Sequence, residues 1–162
     1  MKEKLKLYIE ENYEKETPIL FGAKALKRAS LNDELMEYDR SSIDDYINNN
    51  KEESKFQTLL FKYIDERNLK DSDVYNKVNI DRRLFSKIRS DSSYHPSKET
   101  IILLGLSLEL NENEIINLLN SASYSLPKNN YYDLIIRFCF INKIYKLDEV
   151  NELLYDYNLK CL

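Results

Sequence analysis

Only two glycines, Gly22 and Gly105, occur in the 162 residues, and that scarcity restricts the fold more than any other feature. A β-hairpin needs residues that accept positive φ in its tight turn, and glycine accepts them at least cost. Three prolines add little turn material. The turns must then come from Asn, Asp and Ser, which leaves helices joined by short polar connections as the natural product. An all-α chain is expected. Hydrophobic residues make up 43%, enough for a core and too many for a chain disordered by composition.

Several chemistries lose support at this level. No apolar run reaches the roughly 18 residues of a membrane helix, and the opening MKEKLKLYIEENYEKE does not read as a signal peptide. Cys139 and Cys161 are too few and too far apart in sequence for a disulfide framework or a metal site, which fits a reducing cytoplasm. A single histidine, His95, and the lack of HExxH spacing argue against zinc. Asp44/Asp45 and Asp71/Asp73 invite an acid–base reading. Adjacent acids point apart on a helix, however, and Asp71 and Asp73 sit where acids favour a helix N-terminus. Neither glycine belongs to a phosphate-cradling loop, and spacing nominates no nucleophile–base pair. The expectation is a non-catalytic chain with no cofactor and no metal.

Charge is unevenly distributed. The net charge of −4 speaks mildly against a general nucleic-acid coat. Residues 1–53 hold 9 basic and 13 acidic side chains, residues 54–110 hold 10 and 8, and residues 111–162 hold 5 and 7. Within 77–98 the balance is 6 basic (Lys77, Arg82, Arg83, Lys87, Arg89, Lys98) against 2 acidic (Asp81, Asp91). The positive field is therefore local, as phosphate contact requires.

Periodicity divides the chain into three parts: 1–53, 54–125 and 126–162. The first reads as an appendage. A helix at about 2–14 has Leu5, Tyr8, Ile9 and Tyr13 on one stripe. Pro18 ends any continuation, ILFGAKAL follows as an apolar patch, and LNDELMEYD and SSIDDYI suggest short helical turns. Asn48 to Glu53 reads as a polar linker or helix entrance. From Ser54, a helix cap, the stripes tighten: Phe56, Leu59, Leu60, Tyr63, Ile64; then Val74, Tyr75, Val78; then Leu84, Phe85, Ile88 behind an Asp81 cap. Ser97 caps KETIILLGLSLEL, apolar on nearly every side and so central. Asn111 with Glu114 forms a capping box before Ile115, Ile116, Leu118 and Leu119. Helices at about 131–143 and 147–157 close the chain, with rows Leu134, Ile135, Phe138, Ile141 and Val150, Leu153, Leu154, Tyr157.

Helix Asp71–Val78, an Asn79–Ile80 turn and basic helix Asp81–Arg89 follow the order of a helix-turn-helix. Val74-Tyr75-x-x-Val78-Asn79-Ile80, Phe85-Ser86-Lys87-Ile88 and Pro96-Ser97-x-x-Thr100-Ile101 resemble the Cro/repressor-like (lambda-repressor-like, XRE) family over about 54–120, five helices in that family's order. More narrowly, residues 54–162 resemble a helical module that follows macrodomains in some bacterial proteins. No macrodomain is present here, so no ADP-ribose chemistry carries over. The resemblance implies a five-helix core with two extra C-terminal helices and a second core helix that enters the major groove. Three positions depart from the family pattern: Tyr75 replaces a small residue, Asn79 replaces glycine in the turn, and Arg89 stands where many DNA-binding members carry glutamate.

On that basis Arg82, Arg83, Ser86 and Lys87 face the groove. Lys77, Arg89, Tyr94, His95 and Lys98 contact phosphate or steer toward it. A solvated basic face, or a dock for an acidic protein, is the plainer alternative. For His95 an ordinary loop histidine is the simpler reading. The tyrosines, 13 in all, fall mostly on apolar stripes and suit core packing better than base stacking. Phe138, Phe140, Ile141, Ile144 and Tyr145 offer more apolar surface than one helix needs, so the C-terminal pair either self-associates or caps the core. Two functions remain. One is a dimeric operator-binding regulator of double-stranded DNA, compatible by analogy with a toxin–antitoxin or phage-defence setting. The other is a protein-interaction adaptor that recruits or inhibits an effector through residues 1–53 or the C-terminal helices.

Overall fold

The computed structural model describes residues 1–15 and 55–162, and these belong to one compact unit. The described residues are helical, with no strand: α1 (Lys2–Asn12), α2 (Lys55–Glu66), α3 (Asp71–Lys77), α4 (Arg82–Ser90), α5 (Lys98–Ser107), α6 (Glu112–Ser121), α7 (Tyr131–Ile141) and α8 (Leu147–Asp156). The expected patch ILFGAKAL, the turns LNDELMEYD and SSIDDYI, the polar stretch 48–53 and the Ser54 cap lie outside the described residues, as do Gly22, Asp44 and Asp45.

α5 is the centre. Ile101, Ile102, Leu104, Gly105, Leu106 and Ser107 are all buried, matching a helix apolar on nearly every side. α3 and α6 pack on it, α2 packs on α6, and α6 joins the core to α7, on which α8 packs. Gly105 is the point of closest approach. A Cβ there would lie 2.5 Å from Ile115 Cδ1 and 3.1 Å from Phe140 Cζ, so glycine is what allows α6 and α7 to meet at this point. Ser107 Oγ donates to the Val74 carbonyl at 2.6 Å and satisfies a buried polar group between α5 and α3.

Helix starts follow the expected chemistry. Asp81 accepts from the amides of Arg83 and Leu84, and Ser97 accepts from that of Thr100. Asn111 and Glu114 exchange hydrogen bonds of 3.1 and 2.8 Å in a capping box. Helix ends show how a glycine-poor chain turns. Asn68, Asn79, Glu109, Ser123, Lys143 and Asn158 all adopt φ between 50° and 60°. After each of them the next amide bonds five residues back: Leu69 to Ile64, Ile80 to Tyr75, Leu110 to Gly105, Tyr124 to Leu119, Ile144 to Cys139 and Leu159 to Leu154. The left-handed residue itself bonds three residues back in every case. These are six complete Schellman motifs, each followed by an apolar or aromatic side chain that folds over the helix end. None uses glycine. One of them ends α5 at Ser107, three residues short of the end expected from KETIILLGLSLEL, because Glu109 turns left-handed and folds Leu110 back into the core.

α1, expected within an appendage, packs on α7. Leu5 and Ile9, one turn apart, are buried. Tyr8 meets the Phe138 ring at 5.4 Å and Tyr13 stacks on Tyr131 at 5.0 Å. Lys2 Nζ lies 2.7 Å from Asp156 Oδ2 on α8, and the Glu14 amide donates to the Lys128 carbonyl. This docking covers part of the apolar surface that the C-terminal pair offers. Phe138, Phe140 and Ile144 are buried within the chain itself and Tyr145 is half-buried, which leaves Ile141 alone of the five substantially exposed, at 42%. The tyrosines behave as rim residues. Tyr63 is buried, eight others are half-buried against the core, and Tyr131 and Tyr155 are exposed among those described.

Two outcomes follow from this architecture. Lys143→Gly removes the left-handed penalty at an exposed turn and is expected to stabilise the fold by about 1 kcal/mol in a urea titration. Burial pushes the Cys139 thiol up to about 12, whereas Cys161 is exposed. A thiol reagent near neutral pH should therefore titrate Cys161 rapidly, and should reach Cys139 only after denaturant is added.

Candidate nucleic-acid interface

The basic helix α4 is held by its apolar side. Phe85 and Ile88 are buried, Leu84 is half-buried, and Val74, Val78 and Ile80 of α3 and its turn complete the contact. Asn79 makes the turn at φ 56°, and asparagine tolerates that conformation better than most residues. Tyr75, in place of a small residue, sets its ring 5.6 Å from Phe85, so the two helices meet through an aromatic pair. The turn after α4 is tied by Asp91, which accepts from the amide and hydroxyl of Ser93. Those bonds hold its carboxyl below the usual range.

The nine residues expected to face nucleic acid separate into two groups. Arg82, Arg83 and Ser86 are exposed, and their side chains make no hydrogen bond or ion pair with the described residues. The other six are drawn into internal contacts. Lys77 pairs with Glu109 at 2.6 Å. The Lys87 ammonium lies 4.5 Å from the centre of the Tyr94 ring, which occupies both of these residues in a cation–π contact. Arg89 pairs with Asp71 and lies 4.0 Å from the centre of the Phe61 ring. His95 Nε2 is 2.9 Å from the Ala122 carbonyl oxygen, so this nitrogen carries the proton that the carbonyl accepts. Lys98 Nζ donates to Asp133, a carboxylate only 5% exposed at its side chain, which also accepts from the Asn130 amide at 2.7 Å.

Arg82 and Arg83 are the informative pair. They occupy the first turn of α4, where the helix dipole places positive partial charge. Cations there cost a few tenths of a kcal/mol each, and neither recovers that cost through an ion pair among the described residues. Fold stability gains nothing from them at these positions. An anion arriving from outside would meet two guanidinium groups and the Ser86 hydroxyl one turn later, beside a helix terminus that Asp81 already caps.

Two structural partners escape a local reading of the sequence. Gln57 of α2 donates to the carbonyls of Ile88 and Asp91 and so caps the end of α4. Arg67, after α2, grips Glu114 with both carboxylate oxygens within 2.9 Å and ties α2 to α6. Glutamine beside an apolar stripe, and arginine in a helix-ending turn, carry no spacing signal for partners dozens of residues away. Among the described residues no group of three or more His, Cys, Asp or Glu side chains is placed to hold a metal ion, and no helix is long and apolar enough to cross a membrane.

Lys98 yields the sharpest test of this partition. Lys98→Ala leaves the buried Asp133 carboxylate without its cation and should cost about 3 kcal/mol in thermal or chemical unfolding, whereas Arg82→Ala should be neutral within about 0.5 kcal/mol. Comparison with known proteins adds no further assignment: no protein-family model, curated protein or solved structure matches this chain.

Proposed function

We propose that this chain is a non-catalytic DNA-binding regulator that acts by occupying a site on double-stranded DNA, with α4 in the major groove. The observation that carries the reading is the pair of unpartnered arginines in the first turn of α4, at positions where folding disfavours them. Arg82 and Arg83 reach guanine O6/N7 or phosphate, Ser86 donates to phosphate or a base edge, and Lys87 leaves Tyr94 to meet the backbone. Two copies on adjacent half-sites would double a small set of free cations, which is the reason to expect a dimer on DNA. The order of α3, turn and α4, and the Cro/repressor-like resemblance of 54–120, agree with this geometry.

A second reading is favoured by the net charge of −4, which opposes an extended duplex more than it opposes a compact acidic patch. In it the chain is an adaptor, and the arginines of α4 dock an acidic protein. Titrating a fluorescent duplex of the chain's own upstream DNA at two salt concentrations separates the two. DNA binding predicts affinity that falls steeply with salt, and each arginine removed should flatten the log–log slope by about one unit, with the circular dichroism spectrum unchanged. Absent or salt-insensitive binding, with an acidic protein retained instead, would overturn the DNA reading.

A further inference from the structure

We infer that Arg89 is a positioning residue of the α4 surface, which holds α4 on α2 and α3 and cancels the charge of Asp71, and that it makes no phosphate contact itself. This rests on the DNA reading above and narrows it: the cation at the C-terminal end of α4 is withdrawn from the interface, and the anion beside it is neutralised.

Three contacts converge on that end of the helix. The Arg89 guanidinium donates to Asp71 Oδ1, in the first turn of α3. Its plane covers the Phe61 ring of α2 at 4.0 Å. Gln57, one turn before Phe61 on α2, donates to the carbonyls of Ile88 and Asp91 that flank Arg89. A guanidinium committed to a carboxylate on one side and an aromatic face on another has lost the freedom that a phosphate contact needs. Arg82 and Arg83, seven and six positions earlier on the same helix, make neither kind of contact among the described residues. The basic face is thus split between a free end and an anchored end.

The anchor matters electrostatically because α3 begins with two acids. Asp73 accepts from the Lys70 amide and Asp71 accepts from Arg89. Arg89 and Arg82 lie about 10 Å apart along α4, close to one Debye length, and Asp71 sits at the Arg89 end. At that range in water an uncancelled carboxylate weakens binding of each nearby phosphate by up to about twofold, and a groove presents several. As a stabilising ion pair the contact is half-exposed and contributes little. Orientation of α4 and cancellation of charge are therefore its larger effects.

The test is a salt titration of a fluorescein-labelled mixed-sequence duplex with the wild type, Arg82→Ala, Arg89→Ala, and Arg89→Ala combined with Asp71→Asn. Arg82→Ala should flatten the log–log salt slope by about one unit. Arg89→Ala should weaken binding several-fold at low salt and flatten the slope by clearly less than one unit, because salt screens the exposed Asp71 carboxylate, and adding Asp71→Asn should restore the wild-type slope and part of the affinity. A slope lost in Arg89→Ala to the same degree as in Arg82→Ala overturns the inference, as does a failure of Asp71→Asn to restore binding. If the wild type binds no duplex, the DNA reading itself fails. The anchoring is then judged by thermal unfolding of the same variants: Arg89→Ala should lower the midpoint more than Arg82→Ala, because it also loses the Phe61 contact, and equal shifts sink it.

Discussion

The near-contact of α5 with α6 and α7 at Gly105 is what the rest of the molecule is built around. α5 has almost no solvent-facing side, so each neighbouring helix must reach it directly, and the single glycine within it marks where backbone and the Ile115 and Phe140 side chains come closest. Close packing there sets the position of α6 and α7. α6 in turn fixes α2 through Arg67 and Glu114, and α2 fixes the end of α4 through Gln57 and Phe61. The exposed arginines of α4 are therefore several rigid contacts away from α5 and yet positioned by it.

Much of this architecture is legible in the sequence because it is locally encoded. Apolar rows at helical spacing locate all eight described helices, and the rows predicted to face inward are largely those that do. The caps at Asp81, Ser97 and Asn111 are short-range chemistry, and so is the left-handed turn at Asn79. Asn68 and Asn158 carry the same signal, whereas the turns at Glu109, Ser123 and Lys143 are harder to see, since these residues do not announce positive φ.

Long-range pairing is where local reasoning stops. A lysine in the first turn of a helix looks available to any anion, and nothing near Lys98 in sequence reveals that a buried carboxylate 35 positions later claims it. The same holds for Lys77 with Glu109 and Arg89 with Asp71. Counting basic residues in a window therefore overstates the charge that the folded surface offers. What covers the apolar side of α7 is illegible for a related reason. Its cover, α1, comes from the other end of the chain, and no periodicity connects Leu5 and Ile9 with Phe138.

That docking also sets a schedule for folding. α1 leaves the ribosome some 120 residues ahead of the α7 surface that buries it, which at about 5–20 residues per second is a wait of roughly 6 to 24 seconds. An isolated helix of 11 residues is marginal in water and cannot hold its shape over that interval by itself. Its apolar stripe of Leu5 and Ile9 must therefore stay exposed, or find a temporary cover, until synthesis supplies the permanent one. α1 is made well before the surface that buries it, and its docking reports that α7 has been completed.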